Sequence, residues 1–308
     1  MRRALADFLK EEAAKNPDLV LLTADLGYGV FDDFRSAYPE QYVNVGIMEQ
    51  LLVDAAAGMS FRGQQPVVYS IASFLTSRAY EQIKLSVLYN ANPVLLIGAG
   101  GGSLYGKSGA THHAHDDWAL MLGLPGMRVL TPTSPSDLRR ALCYTFTDFQ
   151  PTYIRIGKFG EPDFVASDPY TVGNLRKVDP SDAPLALLGI GSTLYACFQL
   201  QQLLQVNGVR ADVIQCTSLR PFDKEQATTV LERYQHLVIL EDHYRFGGLA
   251  SLVSEILREA KSFSLTCWSY CAPAKFVDDE VIDIDRGLYF GFNCSDVASE
   301  IYRRLECN

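Results

Sequence analysis

A glutamate stands where a predicted strand gives way to a predicted helix, in the segment 44–50 (NVGIMEQ). The strand ends at Gly46, and Glu49 falls in the opening turn of the helix that follows. Open α/β sheets bind ligands in the crevice outside the carboxyl ends of their parallel strands, so Glu49 is a candidate catalytic acid or base. The alternative is an acidic residue that only interacts favourably with the helix dipole.

Three of the five histidines lie close together in the segment 106–117 (GKSGATHHAHDD), after a glycine-rich loop. Histidine carries protons and donates hydrogen bonds at neutral pH, which suits catalysis. Histidine and aspartate are also metal ligands, but His112 and His113 are adjacent and would fan apart at a helix start. We therefore predict no metal site here. Polar residues in a surface loop remain the structural alternative.

Two later strand ends carry weaker signals. The segment 189–192 (GIGS) lacks the third glycine of a dinucleotide-binding turn, so a tight strand-to-helix turn explains it better. The segment 241–248 (EDHYRFGG) closes a strand and opens a helix. Spacing alone assigns neither segment a chemical role.

Short apolar runs alternate with amphipathic stretches along the chain, which predicts an α/β fold with parallel sheets covered on both faces. A polar, proline-containing stretch interrupts the alternation, so we expect two doubly wound domains at residues 1–160 and 184–308, joined by a linker at 161–183. The predicted strands are 19–23, 42–45, 66–70, 94–98, 128–130, 153–156, 185–189, 211–215 and 237–241. The predicted helices are 49–61, 75–88, 135–145, 194–206, 224–234, 248–260 and 295–305.

Composition excludes several classes of protein. The formal net charge of −9 argues against a sequence-independent nucleic-acid surface, which needs clustered lysine and arginine. The apolar runs are too short to span a bilayer, so we expect no membrane association. Seven cysteines without a CxxC pair indicate reduced thiols and a cytoplasmic protein.

Several motifs, taken together and in order, resemble the transketolase family. The resemblance covers almost the whole chain but only the later two-thirds of a full-length transketolase. The matching segments are 23–26 (TADL), 46–50 (GIMEQ), 55–58 (AAAG), 73–76 (SFLT), 78–83 (RAYEQI), 109–113 (GATHH), 125–132 (PGMRVLTP), 219–223 (LRPFD), 241–243 (EDH) and 247–249 (GGL).

The resemblance implies thiamine diphosphate as cofactor, held between two domains that usually belong to different chains. Residues 1–160 resemble the domain that receives the aminopyrimidine ring, and the last domain resembles the family's C-terminal domain. The family's diphosphate-binding domain has a Gly-Asp-Gly signature, which is absent from this sequence. We therefore expect a partner subunit that holds the diphosphate with Mg²⁺ or Ca²⁺, in an α2β2 assembly.

The resemblance also implies which residues bind the cofactor. Glu49 would hydrogen-bond a nitrogen of the pyrimidine ring and hold or share a proton there. Phe74 would pack on the ring with its flat apolar face. Arg78 lies on the same wall in the family, and Asp25 matches a family aspartate near the cofactor. The implied reaction is transfer of a ketol unit between sugars or sugar phosphates, within carbohydrate metabolism.

For the substrate, His112 matches the family histidine that faces substrate oxygens. Arg3 falls where the family has an arginine that reaches the substrate phosphate. At the second phosphate-binding arginine this chain has Lys158, which keeps the charge but loses bidentate geometry. Arg155, three residues earlier, could compensate. Ser108 stands where family members that act on sugar phosphates have an aspartate that recognises a sugar hydroxyl.

Gly100 stands where many members carry another histidine. Together with Ser108 and Lys158, it indicates a substrate other than the standard pentose phosphates. Three alternatives remain. They are the β subunit of a 2-oxo-acid dehydrogenase or decarboxylase, a deoxyxylulose-phosphate synthase, and a catalytically silent subunit that only assembles with an enzyme.

Overall fold

A computed structural model describes residues 1–158, 160–163, 169–179, 182–259, 264–276, 288–289 and 291–306. The strands are, in chain order, β1 (Leu19–Thr23), β2 (Tyr42–Asn44), β3 (Gln65–Ile71), β4 (Leu95–Ala99), β5 (Arg128–Leu130), β6 (Thr152–Ile156), β7 (Arg176–Asp179), β8 (Leu185–Ile190), β9 (Asp212–Cys216), β10 (Ser218–Arg220), β11 (His236–Tyr244), β12 (Thr266–Ala272), β13 (Leu288–Tyr289) and β14 (Phe292–Asn293).

The α-helices are, in chain order, α1 (Arg2–Ala13), α2 (Asp32–Ala37), α3 (Glu49–Phe61), α4 (Tyr80–Gln82), α5 (Asp117–Leu122), α6 (Pro135–Thr147), α7 (Thr193–Val206), α8 (Lys224–Leu231), α9 (Leu249–Glu259) and α10 (Cys294–Glu306). Two π-helical segments, Phe74–Arg78 and Ile83–Tyr89, flank α4. The predicted helix 75–88 therefore forms, but with a wider turn at each end. Helix α1 was not predicted, although Leu5, Phe8 and Leu9 are buried at helical spacing.

Among the described residues, the strands form two large sheets and one small hairpin. The first sheet has the order β10-β5-β6-β4-β3-β1-β2, and the second has the order β12-β11-β8-β9-β7. Neighbouring strands are parallel except at β10 and β7, which pair antiparallel with β5 and β9. Strands β13 and β14 form the hairpin. The prediction of an α/β fold with two doubly wound domains is confirmed.

Buried apolar strands explain why both sheets carry helices on their faces. All residues of β1, β4, β8 and β9 are buried, as expected for strands covered on both sides. Helix α6 begins with Pro135 after Ser134, whose hydroxyl accepts a hydrogen bond from the Asp137 N–H group at 3.3 Å. These elements place the ends of β1–β4 at one edge of the first sheet.

The second domain is joined to the first through β10, which extends the first sheet beside β5. The predicted linker 161–183 contains β7, and residues 164–168 and 180–181 of it lie outside the described residues. The predicted helix end at Ala260 lies outside them too. The linker boundaries therefore stay a prediction.

Candidate active site

Glu49, Arg78 and Phe74 form the centre of the candidate site. Glu49 is the first residue of α3 and is only 3% exposed. Its Oε2 lies 3.4 Å from the Arg78 Nη1. The Arg78 guanidinium carbon lies 3.8 Å from the centroid of the Phe74 ring. A buried carboxylate, a cation and an aromatic face thus meet at the edge where parallel strands end.

The π-helical turn Phe74–Arg78 explains why the last two side chains stack. It begins at Phe74, separated from the end of β3 by two residues, so the chain after the strand winds around a widened turn. Turns of this kind are common at functional sites because they redirect side chains out of the regular helical pattern. Here Arg78 extends over the ring of Phe74 and towards Glu49.

His112 packs against Phe74, and together with Arg78 these side chains form one wall of the site. The ring of His112 lies edge-on to Phe74, with 4.8 Å between the centroids. The Thr111 hydroxyl donates to the Ser108 carbonyl at 3.3 Å and lies 2.9 Å from the His112 Nδ1. This arrangement favours a proton on Nδ1, which leaves Nε2 to exchange a proton with a ligand. Burial is the main cause that lowers the pKa of His112, and Arg78 acts in the same direction.

A cavity of about 370 Å³ opens beside this wall. Both domains line it, with Phe74, Arg78 and Thr111 from the first and Tyr244 and Lys275 from the second. The volume falls within the range typical of small-molecule sites, roughly 300–1,000 Å³. The cavity is therefore large enough for a heterocyclic ring or a sugar phosphate.

Asp25 lies at the end of β1, at the same edge of the sheet. Its φ angle is +53°, an uncommon conformation for a residue with a side chain. The Asn44 Oδ1 accepts hydrogen bonds from the N–H groups of Asp25 and Gly46, both at 3.0 Å. The Tyr28 hydroxyl donates to the Asp25 carboxylate. The Asn44 side chain thus holds Asp25, after β1, next to the end of β2 and the start of α3.

Two of the residues predicted to bind substrate, Arg3 and Arg155, are not brought together with His112, whereas the Ser108 carbonyl lies beside it. Arg3 is 93% exposed on α1, and its nearest carboxylate is Asp7 at 3.9 Å. Ser108 is exposed on the outer turn of the loop. Arg155 is buried among carboxylates and does not substitute for Lys158. In contrast, Arg2 is close enough to affect the pKa of Lys158.

Arg155 forms an ion cluster with Asp117 and Asp242 between the two domains. Its guanidinium lies 3.4 Å from the Asp117 Oδ1 and 2.9 Å from the Asp242 Oδ2. The Tyr153 hydroxyl donates to the Asp117 Oδ2 at 2.6 Å. A side chain at Gly101 would overlap the guanidinium, so only glycine leaves room for Arg155. No sequence pattern indicated this cluster, because Asp242 is remote along the chain.

The other two histidines have structural partners that the sequence analysis did not identify. His113 Nε2 donates to the Gly106 carbonyl at 2.8 Å. His115 Nδ1 donates to the Asp242 carbonyl at 3.0 Å, and its Nε2 lies 2.7 Å from the Ser103 hydroxyl. Within the histidine loop (residues 102–115), His112 therefore packs against Phe74, while His113 and His115 hold the loop in place and also line the cavity.

His243 of the second domain packs against the start of α5. Its ring stacks on Trp118 with 5.1 Å between the centroids. Nδ1 donates to the Tyr244 carbonyl at 2.7 Å, and Nε2 accepts from the Ala119 N–H group at 3.3 Å. Both ring nitrogens are therefore satisfied in the neutral form. Burial lowers the pKa of His243 to about 4.

Acid should weaken the contact between the domains. Burial lowers the pKa of His115 to about 4 as well. Because both histidines are neutral when folded, their contribution to stability is present above about pH 6.5 and is lost as pH falls towards 4. Full protonation of each would cost on the order of 3 kcal/mol. We therefore expect these two histidines to lower the urea midpoint of the wild type between pH 7 and pH 5, relative to a protein that lacks one of them.

A His243→Gln variant isolates this effect, since glutamine can donate and accept hydrogen bonds but does not titrate. Burial raises the pKa of Glu241 to about 8, so this carboxyl contributes stability that is lost as pH rises. That opposite contribution is present in both proteins and cancels in the comparison. Between pH 7 and pH 5 the urea midpoint of the wild type should drop relative to that of His243→Gln, and equal changes in the two proteins would contradict the prediction.

Some features are absent from the described part of the chain. No group of three His, Cys, Asp or Glu side chains there is arranged to hold a metal. Within the same ranges, no helix combines the length and apolar character needed to cross a membrane. The six cysteines that the structure describes are free thiols, and Cys307 lies outside it.

Comparison with known proteins accounts for both domains. Residues 1–159 match the family model of the transketolase pyrimidine binding domain. Residues 174–272 match the model of the transketolase C-terminal domain. The first match alone covers more than half of the chain.

Individual relatives agree with the family models. One subunit of the apulose-4-phosphate transketolase of Phocaeicola vulgatus is 32% identical over 262 residues, covering 84% of this chain and 83% of that protein. The protein of the same name from Actinobacillus succinogenes is 34% identical over 249 residues, covering 80% of each. A solved structure described as a split gene transketolase, inactive beta4 tetramer, superposes with a TM-score of 0.81 at 28% identity, covering 97% of this chain and 96% of that one. The chain therefore belongs to the transketolase family and contains its pyrimidine-binding and C-terminal domains.

Proposed function

We propose that this chain is one subunit of a thiamine diphosphate-dependent transketolase, which transfers a two-carbon ketol unit from a phosphorylated ketose to an aldehyde. The observation that carries the proposal is the buried Glu49 carboxylate, which meets Arg78 and Phe74 at the carboxyl edge of the first sheet. Family membership supports the choice of cofactor.

The residues of this site fit an aminopyrimidine ring. The buried Glu49 carboxyl group lies at the start of α3 beside Arg78, where it can hydrogen-bond a ring nitrogen. Phe74 offers a flat apolar surface for stacking. The adjoining cavity of about 370 Å³ is lined by Phe74 and Arg78. We assign the diphosphate and its Mg²⁺ or Ca²⁺ ion to the partner subunit.

Each of these residues then has a role in the reaction. Thiamine diphosphate, when bound, supplies the electron sink for breaking and forming a carbon–carbon bond. Glu49 holds a proton at the pyrimidine nitrogen, and Phe74 fixes the orientation of the ring. His112 accepts a hydrogen bond from a substrate hydroxyl at Nε2 and can take up and return a proton through that atom. Lys158 attracts the anionic end of the substrate.

A partner subunit is supported by the surface around Glu49. Ile47 is 74% exposed and Leu51 is 45% exposed, on either side of the buried carboxylate. Large apolar side chains exposed beside a ligand site are typical of interaction surfaces. The relatives are named as subunits, and the solved split gene transketolase is described as an inactive beta4 tetramer. We propose an α2β2 assembly in which the partner covers this surface.

The choice of donor separates this proposal from its main alternative. A transketolase uses a phosphorylated ketose, whereas a 2-oxo-acid dehydrogenase β subunit would require a 2-oxo acid. Lys158 lies near Arg2, and these two cations favour a substrate whose anionic group is remote from its reacting carbonyl. The exposed position of Ser108 is consistent with a substrate other than the standard pentose phosphates.

Native mass spectrometry of the chain, purified gently from its own cells, tests the proposal directly. We expect a second, different chain that carries Gly-Asp-Gly, together with bound thiamine diphosphate. The assembly should turn over a ketose phosphate and not a 2-oxo acid. A homodimer without cofactor, under conditions that preserve known complexes, would instead support a silent subunit.

A Leu51→Asp variant should weaken assembly with the partner by about tenfold or more, because it places a charge in an apolar interface beside Glu49. Val206→Asp is the matched control, since Val206 is an exposed apolar residue of α7 in the other domain. The two dissociation constants can be compared by titrating each purified variant with the partner. Equal effects of the two substitutions would show that this surface does not receive the partner.

A further inference from the structure

Tyr105 occupies the space that a side chain at position 100 would fill. A Cβ atom built on Gly100 would overlap the edge of the Tyr105 ring, with 2.7 Å to its Cδ2 atom. Gly100 also has a φ angle of +75°, which disfavours any side chain. The glycine and the tyrosine are therefore structurally linked: the ring of Tyr105 replaces a side chain at position 100.

The histidine loop holds Tyr105 in this position. Its base is closed by two hydrogen bonds between Gly102 and Ala114, both of 2.9 Å. The residue after Tyr105, Gly106, receives the hydrogen bond from His113 at 2.8 Å. A ring fixed in this way can exclude a ligand from the volume that it fills, because displacing it would break these contacts.

The ring of Tyr105 lies close to both His112 and Lys158. The centroid of its ring is 5.6 Å from that of His112, and the Lys158 Nζ lies 3.9 Å from it. Burial and the neighbouring Arg2 lower the pKa of Lys158, so the positive groups here are close together and partly desolvated. Burial raises the pKa of Tyr105, while Arg2 acts in the opposite direction. One aromatic ring thus contacts both the histidine and a cationic group.

We infer that Tyr105 is a specificity-determining residue of this site. Its ring shortens the space between His112 and Lys158, and it holds the ammonium group by a cation–π contact. The substrate class that fits is a short-chain sugar phosphate, whose anionic group reaches Lys158 and Arg2 while its carbonyl lies near His112. This inference rests on the proposed function, since it specifies how the substrate of that reaction is oriented, with its carbonyl at His112 and its anionic group at Lys158.

Kinetics of the assembled enzyme provide the first test. Tyr105→Val should raise the KM for a short-chain sugar phosphate by roughly threefold to tenfold, because Lys158 loses its aromatic support. The kcat should change much less, since the ring supplies no proton. Relative activity should shift towards longer sugar phosphates. Tyr105→Phe should retain the wild-type KM within about twofold, because the ring remains.

Phosphate binding by the full chain alone provides the second test. Titration with inorganic phosphate, followed by calorimetry, should show an affinity loss of roughly threefold to tenfold in Tyr105→Val. Tyr302→Val on α10 is the control and should bind as the wild type does. If Tyr105→Val folds poorly, as circular dichroism would reveal, Tyr105→Leu takes its place.

The two tests distinguish failure of the inference from failure of the proposed function. Absence of transketolase turnover in the wild-type assembly would reject the proposed function, yet the phosphate titration would still report on Tyr105. Normal turnover with identical KM, substrate preference and phosphate affinity in Tyr105→Val and the wild type would overturn the inference alone.

Discussion

A Glu49→Gln variant of the assembled enzyme should lose turnover by about two to four orders of magnitude, the range typical of a lost general acid–base group. Glutamine keeps the size of the side chain but cannot hold or release a proton at the pyrimidine nitrogen. The buried position makes the loss severe, since water has little access to replace the carboxyl group. Binding of thiamine diphosphate should weaken far less than kcat falls.

Steady-state kinetics and cofactor titration by tryptophan fluorescence measure the two effects separately. Glu255→Gln is the matched control, because Glu255 is exposed on α9 and pairs with Lys224 at 2.8 Å. We expect it to leave kcat unchanged. A Glu49→Gln enzyme that retains more than about a tenth of wild-type kcat would show that Glu49 is not the acid–base group of this site.

The sequence predicted the features that depend on residues close to one another along the chain. The apolar runs predicted β1 and β5 with the same first and last residues as in the structure. The helix predicted at 49–61 is α3. The position of Glu49 in the first turn follows from that boundary alone. The stacking of Arg78 on Phe74 could not be predicted, because a regular helix was expected where the structure has a π-helical turn.

Long-range packing determines what the sequence did not reveal. His115 donates a hydrogen bond to the Asp242 carbonyl, 127 residues away along the chain, and no periodicity in the sequence connects the two residues. Arg155 was expected near the substrate, but Asp242, one of its two carboxylate partners, becomes its neighbour only when the domains meet. Tyr105 carried no motif signal, since its importance depends on the space above Gly100.

The ion cluster of Asp117, Arg155 and Asp242 should be a major determinant of stability. An Arg155→Met variant keeps a side chain of similar length but leaves two buried carboxylates without their cation. Breaking a buried ion pair in this way costs about 3–5 kcal/mol. We expect a large fall in the urea midpoint. The second domain should also dock more weakly on the histidine loop, because the Asp242 carbonyl accepts a hydrogen bond from His115.

The matched control is Arg139→Met, which removes an exposed ion pair with Glu11 and should cost at most about 1 kcal/mol. A double variant sharpens the test. Adding Asp117→Asn to Arg155→Met removes one stranded charge and leaves an oxygen to accept from Tyr153, so it should recover part of the loss. If Arg155→Met is no more destabilising than Arg139→Met, or if Asp117→Asn adds a further loss, the cluster does not stabilise the fold through charge compensation. Recovery in the double variant would instead show that Arg155 is retained to neutralise carboxylates that the domain contact buries.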